Sequence, residues 1–114
     1  MAKVNELPID GMLRFGKYAT KRDENGKKVG YELLDHHDLF FNYLSIRQSD
    51  TTYFDSIGKT VDLKVKTYYV TGVEQQSVKV LIEGELYDVT MIDPDFKREY
   101  MFWYLTKVGV GSGI

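Results

Sequence analysis

The sequence predicts an all-β domain, a small barrel or sandwich of about six or seven mostly antiparallel strands with one short helix. Three observations lead to this prediction. Apolar and polar residues alternate with a period of two in several segments, which is typical of half-buried strands. Gly-, Asn- and Asp-rich turns separate these segments. Only residues 48–58 break the pattern in favour of a helix. A barrel or sandwich is favoured because such folds leave few strand edges exposed.

The second half of the chain has the clearest strand signals. A first turn is predicted at Glu83-Gly84-Glu85, where Gly84 is free to take a positive φ. A second turn is predicted at Asp93-Pro94-Asp95, because proline presets the φ of a turn position and aspartate bonds to nearby backbone. The predicted strands are residues 61–66, 78–83, 86–92 and about 98–108.

The first half of the chain has weaker signals. Asn25-Gly26 favours a type I′ hairpin turn within a charged loop. Asp35-His36-His37-Asp38 is interpreted as a solvated polar turn between two strands. The predicted strands are residues 12–19, 29–34 and 39–47.

Residues 48–58 predict the one helix. Ser49 or Asp50 is suited to cap its start, and Gly58 is suited to end it. The side chains expected to face inward are those of Tyr53, Phe54 and Ile57.

The length of 114 residues indicates one domain, which we place at residues 12–108. Residues 1–11 are expected to form a flexible N-terminal extension, and the Gly-rich residues 109–114 a flexible tail. No apolar run approaches the ~18–20 residues of a membrane span, and the start of the chain lacks the apolar core of a signal peptide. We therefore expect synthesis in the cytoplasm.

The composition excludes several kinds of chemistry. The chain has no cysteine, which removes disulfides, thiolate zinc sites and cysteine nucleophiles. The Asp35-His36-His37-Asp38 cluster is a poor zinc site, because adjacent strand residues point to opposite faces and no other histidine is present. The carboxylate pairs all lie on predicted, solvated turns, where a carboxyl pKa is not raised. We predict no catalytic residues, no metal, no cofactor and no enzymatic activity.

The aromatic content of 14% is high for one small core, and nine of the residues are tyrosines. On the last strand Tyr100, Phe102 and Tyr104 share one face, and the residues between them, which include Trp103, are also apolar. Such a strand is either central in a two-sided core or covered by another subunit. We take Tyr100, Phe102 and Tyr104 as a candidate subunit interface. A nucleic-acid surface along residues 64–69 is the weaker reading, because the net charge is −2.

The order of these elements resembles that of the head closure, or head–tail joining, proteins of tailed bacteriophages. The resemblance covers roughly residues 45–108. It is carried by four features: the charged alternating strand at 59–66, the hairpin at 78–89 that ends in Tyr87-Asp88-Val89, the Asp-rich turn at 92–95 and the closing strand at 100–105.

The resemblance implies a structural subunit of the head–tail connector. Such proteins form a ring that closes the DNA-filled head and offers a docking surface for the tail. The implied partners are further copies of the chain, a portal or adaptor ring on the head side and a tail component on the other side. The resemblance also implies non-specific contact with packaged DNA. It implies no membrane partner, no cofactor and no catalysed reaction. The implied location is the virion, at the head–tail connector.

The loops that would line the channel or dock a neighbour are expected in two places, the charged hairpin tip and the helix. Their candidate residues are Arg22, Asp23, Glu24, Asn25, Gly26, Lys27, Lys28, Asp50, Tyr53 and Phe54. Two alternatives remain open: another small phage structural protein, such as a tail terminator or minor tail component, and a single-stranded nucleic-acid-binding β-barrel.

Overall fold

The computed structural model describes residues 10–108 and shows six antiparallel strands closed into one barrel, in the order β1-β2-β3-β6-β5-β4, with one short helix. The fold class predicted from the sequence is confirmed. Of the expected loose ends, residues 1–9 and 109–114 lie outside the described residues, and Gly11 is already the first residue of β1. The elements are β1 Gly11–Arg22, β2 Lys28–Leu44, α1 Gln48–Ser56, β3 Leu63–Tyr68, β4 Val78–Ile82, β5 Glu85–Pro94 and β6 Tyr100–Lys107.

Trp103 of β6 occupies the centre of the barrel. Its side chain is fully buried, and its ring centroid lies 5.5 Å from that of Phe15 on β1. The indole Nε1–H donates a 2.9 Å hydrogen bond to Oγ1 of Thr67, which is also fully buried and itself donates to the carbonyl of Tyr68. The one polar atom of the indole is therefore satisfied inside an apolar core.

The first two strands are much longer than the barrel requires. β1 pairs with β2 from Gly11 to Arg22, but it pairs with β4 only from Arg14 to Lys17. Beyond Lys17 the hairpin consists of two strands alone, and the molecule measures 57 × 31 × 23 Å. We call residues 18–33 the arm. At about 3.4 Å per residue, its six residues from Tyr18 to Asp23 extend roughly 20 Å past the barrel.

The Asp35-His36-His37-Asp38 segment is not a turn, as the sequence suggested, but part of the continuous strand β2. The register shifts there by one residue, with Asp35 at φ 51° as the site of a β-bulge. Gly16 lies across from the bulge, and a Cβ at this position would meet the Leu34 carbonyl oxygen at 2.9 Å. The polar segment is tolerated within the strand because its side chains are exposed.

The turns at Glu83-Gly84 and Asn25-Gly26 lie where they were predicted, and the type is confirmed for the first of them. Glu83 and Gly84 both take a positive φ and join β4 to β5, as a type I′ hairpin requires. Asn25-Gly26 does not form a type I′ turn, because only Gly26 has a positive φ and its N–H bonds to the Asp23 carbonyl. The third turn lies after Pro94 rather than at 93–95, since Pro94 is the last residue of β5.

Helix α1 covers one side of the barrel through Phe54, its one buried residue. Asp50 stabilises the first turn by accepting a hydrogen bond from the backbone N–H of Arg47. At the other end Gly58, at φ 72°, and Lys59 donate to the carbonyls of Asp55 and Phe54, which is the Schellman pattern. Gly58 thus ends the helix as predicted, whereas Tyr53 and Ile57 are exposed and do not face inward.

Thr67→Val tests the buried hydrogen bond at the barrel centre. The substitution keeps the shape of the side chain but leaves the Trp103 Nε1–H buried without an acceptor, so we expect the free energy of unfolding to fall by about 1–3 kcal/mol. Urea denaturation measures the change. Combining it with Trp103→Phe should cost less than the sum of the two single substitutions; additive costs would show that the bond contributes nothing.

Candidate functional site

The arm presents an aromatic face that the barrel does not cover. The rings of Tyr18 and Tyr31 stack with their centroids 5.5 Å apart, and Nζ of Lys79 on β4 lies 5.0 Å from the Tyr18 ring. Val29, also on the arm, is about half exposed. Two-stranded hairpins are marginally stable in water by themselves. A neighbour that covered these side chains would therefore stabilise the arm.

All seven residues of the predicted charged loop lie at the tip of the arm and are exposed. Asp23 organises the turn, since its carboxylate accepts the backbone N–H groups of Asn25 and Lys27. Arg22 donates to the carbonyl of Gly26. The four cations of the tip are Lys21, Arg22, Lys27 and Lys28.

The candidate interface on β6 lies on the outer face of the barrel, but its three residues are not equivalent. Tyr100 and Phe102 are partly exposed. Tyr104 is 6% exposed, because Phe54 of helix α1 covers it with a ring-centroid distance of 5.1 Å. The helix of the same chain therefore occupies the surface of Tyr104, and the candidate contact narrows to Tyr100 and Phe102.

The partly exposed rings of Tyr68 and Tyr100 are in contact with each other and with a lysine. Tyr68 on β3 stacks on Tyr100 at 5.5 Å, and Nζ of Lys66 lies 4.4 Å from the Tyr100 centroid. These rings already have a partner on one face each, which reduces the surface that could stack on a nucleic-acid base.

Asp50 was predicted to lie in a loop that lines the channel or docks a neighbour. In the structure its side chain links helix α1 to the barrel. Its carboxylate accepts the Arg47 backbone N–H and forms a 3.0 Å ion pair with Lys64 of β3. Partial burial opposes ionisation of Asp50, but these two donors outweigh it and hold the pKa below its usual range. Of the predicted helix residues, Tyr53 is exposed and Phe54 is buried against the barrel.

A cavity opens at the end of the barrel from which the arm projects. Its volume is about 580 Å³, and its walls include Phe15, His37 and Leu39 on one side and Tyr69 and Val70 on the other. It lies where β2 and β3 diverge, because these strands pair only from Asn42 to Leu44. The walls are mostly apolar, and within residues 10–108 no group of acidic or histidine side chains is arranged to hold a metal ion.

The opposite end of the barrel is acidic. Glu83 and Glu85 flank the β4–β5 turn, and Oε2 of Glu83 accepts a 3.2 Å hydrogen bond from the Tyr43 hydroxyl. Partial burial raises the pKa of Tyr43 and of Tyr87, and the carboxylates of Glu83 and Glu85 raise it further.

Phe96 is not among the candidate residues predicted from the sequence, and it is 100% exposed in the turn between β5 and β6. The sequence could have indicated this exposure, because Phe96 is a large apolar residue among the charged residues Asp95, Lys97 and Arg98. The exposure of Met12 and Phe40 was also not predicted, but for a different reason. Their strands alternate, but the sequence alone does not say which face is turned outward.

These features define a small closed barrel with an extended hairpin and apolar surface at several separate places. The solution structure of protein SF1141 from Shigella flexneri 2a is similar, with a TM-score of 0.54 over 93% of this chain and 96% of that one, at 12% sequence identity. At this identity the similarity shows the fold alone. No protein-family model matches the sequence, and no curated protein is significantly similar to it. In residues 10–108 no helix is both long and apolar enough to cross a membrane.

Asp50→Asn tests the link between helix and barrel. Because the folded state lowers the pKa of Asp50, its stabilising effect is present at neutral pH and is lost as the pH falls through the lowered pKa. We expect a loss of about 1–2 kcal/mol in unfolding free energy at pH 7 and a much smaller difference at a pH low enough to protonate Asp50 in the folded protein. Urea denaturation at both pH values measures it. Asp55→Asn, on the exposed side of the same helix, is the matched control; an equal loss there would contradict the assignment.

Proposed function

We propose that this chain is a structural subunit of a phage head–tail connector, where copies form a ring that closes the DNA-filled head and receives the tail. The observation that carries the proposal is the arm. A two-stranded extension of roughly 20 Å with a stacked tyrosine pair is suited to lie on a neighbouring molecule.

The surface chemistry supports a role in assembly. Partly or fully exposed aromatic side chains occur at several places, among them Tyr18 and Tyr31 on the arm, Tyr68 on the barrel wall and Phe96 at a turn. Aromatic residues are enriched at protein interfaces. The order of strands and turns over residues 45–108, which resembles that of head closure proteins, supplies the biological setting.

The two ends of the molecule differ in charge, which suits different neighbours in the proposed ring. The tip of the arm carries four exposed cations and the two carboxylates of Asp23 and Glu24, a net positive charge, whereas the β4–β5 end carries the carboxylates of Glu83 and Glu85. A cationic tip near the channel would attract DNA phosphates without reading sequence. The proposed partners are further copies of the chain, a portal or adaptor ring and a tail component.

Deleting the gene from its phage tests the proposed function. We expect lysates with free tails beside filled heads that lose their DNA, as seen by electron microscopy. Normal virions would reject the proposal. Stable heads that carry abnormal or missing tails would instead favour a tail terminator or minor tail component.

Shortening the arm tests the observation on which the proposal depends. Tyr18 and Leu33 are cross-strand partners, so joining them through Asn-Gly forms a two-residue hairpin and removes residues 19–32. We expect the barrel to fold, as checked by circular dichroism and the near-ultraviolet signal of Trp103, but not to complement the deletion. Thr20→Ala, which keeps the arm at full length with all its charges, is the control and should complement. Normal complementation by the shortened protein would show that the arm is dispensable.

A further inference from the structure

Strand β2 has a free edge that continues from the arm into the barrel. On one side β2 pairs with β1 over residues 28–41, but on the other side it pairs with β3 only over residues 42–44. Within residues 10–108, no backbone hydrogen bond reaches residues 29–40 from that second side. Because alternate N–H and C=O groups of a strand point to each side, this edge offers a row of unpaired donors and acceptors.

The opposite wall of the gap is held away from β2 by its own hydrogen bonds. After β3 the chain turns toward β6, and the Tyr69 N–H donates to the Glu99 carbonyl at 3.0 Å. Further along, the side-chain amide of Gln75 pairs with β5 as a strand would, since Nε2 donates to the Thr90 carbonyl at 3.0 Å and Oε1 accepts the Ile92 N–H at 3.1 Å. The gap beside β2 is therefore preformed and needs little ordering to receive a ligand.

The gap has apolar surface on both faces of the barrel wall. Inside, it opens into the cavity of about 580 Å³ whose walls include Phe15, Leu39 and Val70. Outside, Phe40 and Tyr68 lie two residues beyond the outermost β2–β3 pair and are 58% and 47% exposed. An extended segment in the gap would direct alternate side chains to these two faces. A segment that is apolar at successive positions therefore fits the gap, as in a strand that is buried on both faces.

The gap offers no free charge to an occupant. Among the described residues that line the cavity, only Asp38 carries a carboxylate and none is a lysine or arginine. The Arg14 guanidinium donates to both oxygens of Asp38, at 2.8 and 3.2 Å. The free edges of a second copy's arm fit this site poorly, because residues 18–22 and 28–35 mix apolar side chains with charged ones. An uncharged segment of a different protein is therefore favoured.

We propose that an extended, apolar segment of a neighbouring connector protein, other than a second copy, adds to β2 as a further strand over residues 36–40. Its backbone pairs with the free edge, while its side chains alternate between the cavity and the rings of Phe40 and Tyr68. In strand addition of this kind, main-chain bonds give affinity and pockets for alternate side chains give specificity. The identity of the neighbour rests on the proposed function. A neighbour that lies along the arm reaches the gap directly, because the edge of β2 is continuous between them.

Binding of a designed strand peptide to the purified chain tests the site. The probe is a blocked peptide, Lys-Glu-Val-Leu-Val-Phe-Val-Glu-Lys, which is apolar at successive positions and has no net charge. We expect saturable binding, with alternate amide protons within residues 36–40 exchanging at least about tenfold more slowly when the peptide is bound. Nuclear magnetic resonance measures both the affinity and the exchange. Binding without protection of these amides would overturn the proposal, and so would no binding.

Two matched controls separate strand addition from simple apolar binding. The same peptide N-methylated at its apolar residues keeps its side chains but loses its backbone donors, so we expect its affinity to be at least about tenfold weaker. Leu39→Asn makes the cavity wall polar and should weaken binding of the unmodified peptide by a similar factor, whereas Leu34→Asn, at an exposed position of the same strand, should not. Circular dichroism checks that both variants fold. Equal affinity of the two peptides would show that the cavity binds apolar groups without a strand, which contradicts the proposal.

A photo-reactive side chain tests which protein supplies the strand. Benzoylphenylalanine in place of the exposed Phe40, in protein that complements the gene deletion, should cross-link to an extended apolar segment of another protein of the particle. Mass spectrometry of the cross-linked peptides identifies that segment. Cross-links to a second copy of the chain, or none, would overturn the assignment of the partner. The peptide experiment uses the purified chain alone, so the strand site can fail while the location in the virion stands, and the reverse.

Discussion

The indole of Trp103 lies at the centre of a barrel whose two closing ladders are short, and the rest of the structure depends on its burial. β1 meets β4 over residues 14–17, and β2 meets β3 over residues 42–44 only. Such short ladders contribute few backbone bonds, so the strands are held mainly by the apolar side chains that surround the indole. The Thr67 hydroxyl removes the cost of burying the indole N–H and sets the orientation of the ring.

The size of this core explains where the remaining apolar surface goes. A barrel filled by one indole and its neighbours accepts only part of β1 and β2, which have 12 and 17 residues. The surplus continues as the arm, with Tyr18 stacked on Tyr31 outside the barrel. On β6 the inner side chains fill the core while the outer ones are covered unevenly, Tyr104 by the helix and Tyr100 by Tyr68 and Lys66. Apolar surface left at several separate places is consistent with a subunit that meets more than one neighbour.

A net charge of −2 conceals a separation of charge along the molecule. The tip of the arm has a net positive charge, and the carboxylates of Glu83 and Glu85 flank the β4–β5 turn. The two groups lie at opposite ends of the molecule, because the arm leaves the barrel at the end away from the β4–β5 turn.

Local sequence determined the parts of this fold that depend on neighbouring residues. Alternation along β3 and β4, the Glu83-Gly84 turn and the helix end at Gly58 follow from side-chain period and backbone freedom, which act over a few residues. Tertiary structure alone decided that Asp35 to Asp38 form a bulge in one long strand, that Tyr104 lies beneath Phe54, and that Met12, Leu81 and Glu83 share a cleft. Those outcomes depend on strand register and barrel closure, which join residues far apart in the chain, and no local pattern records which partners a closed sheet brings together.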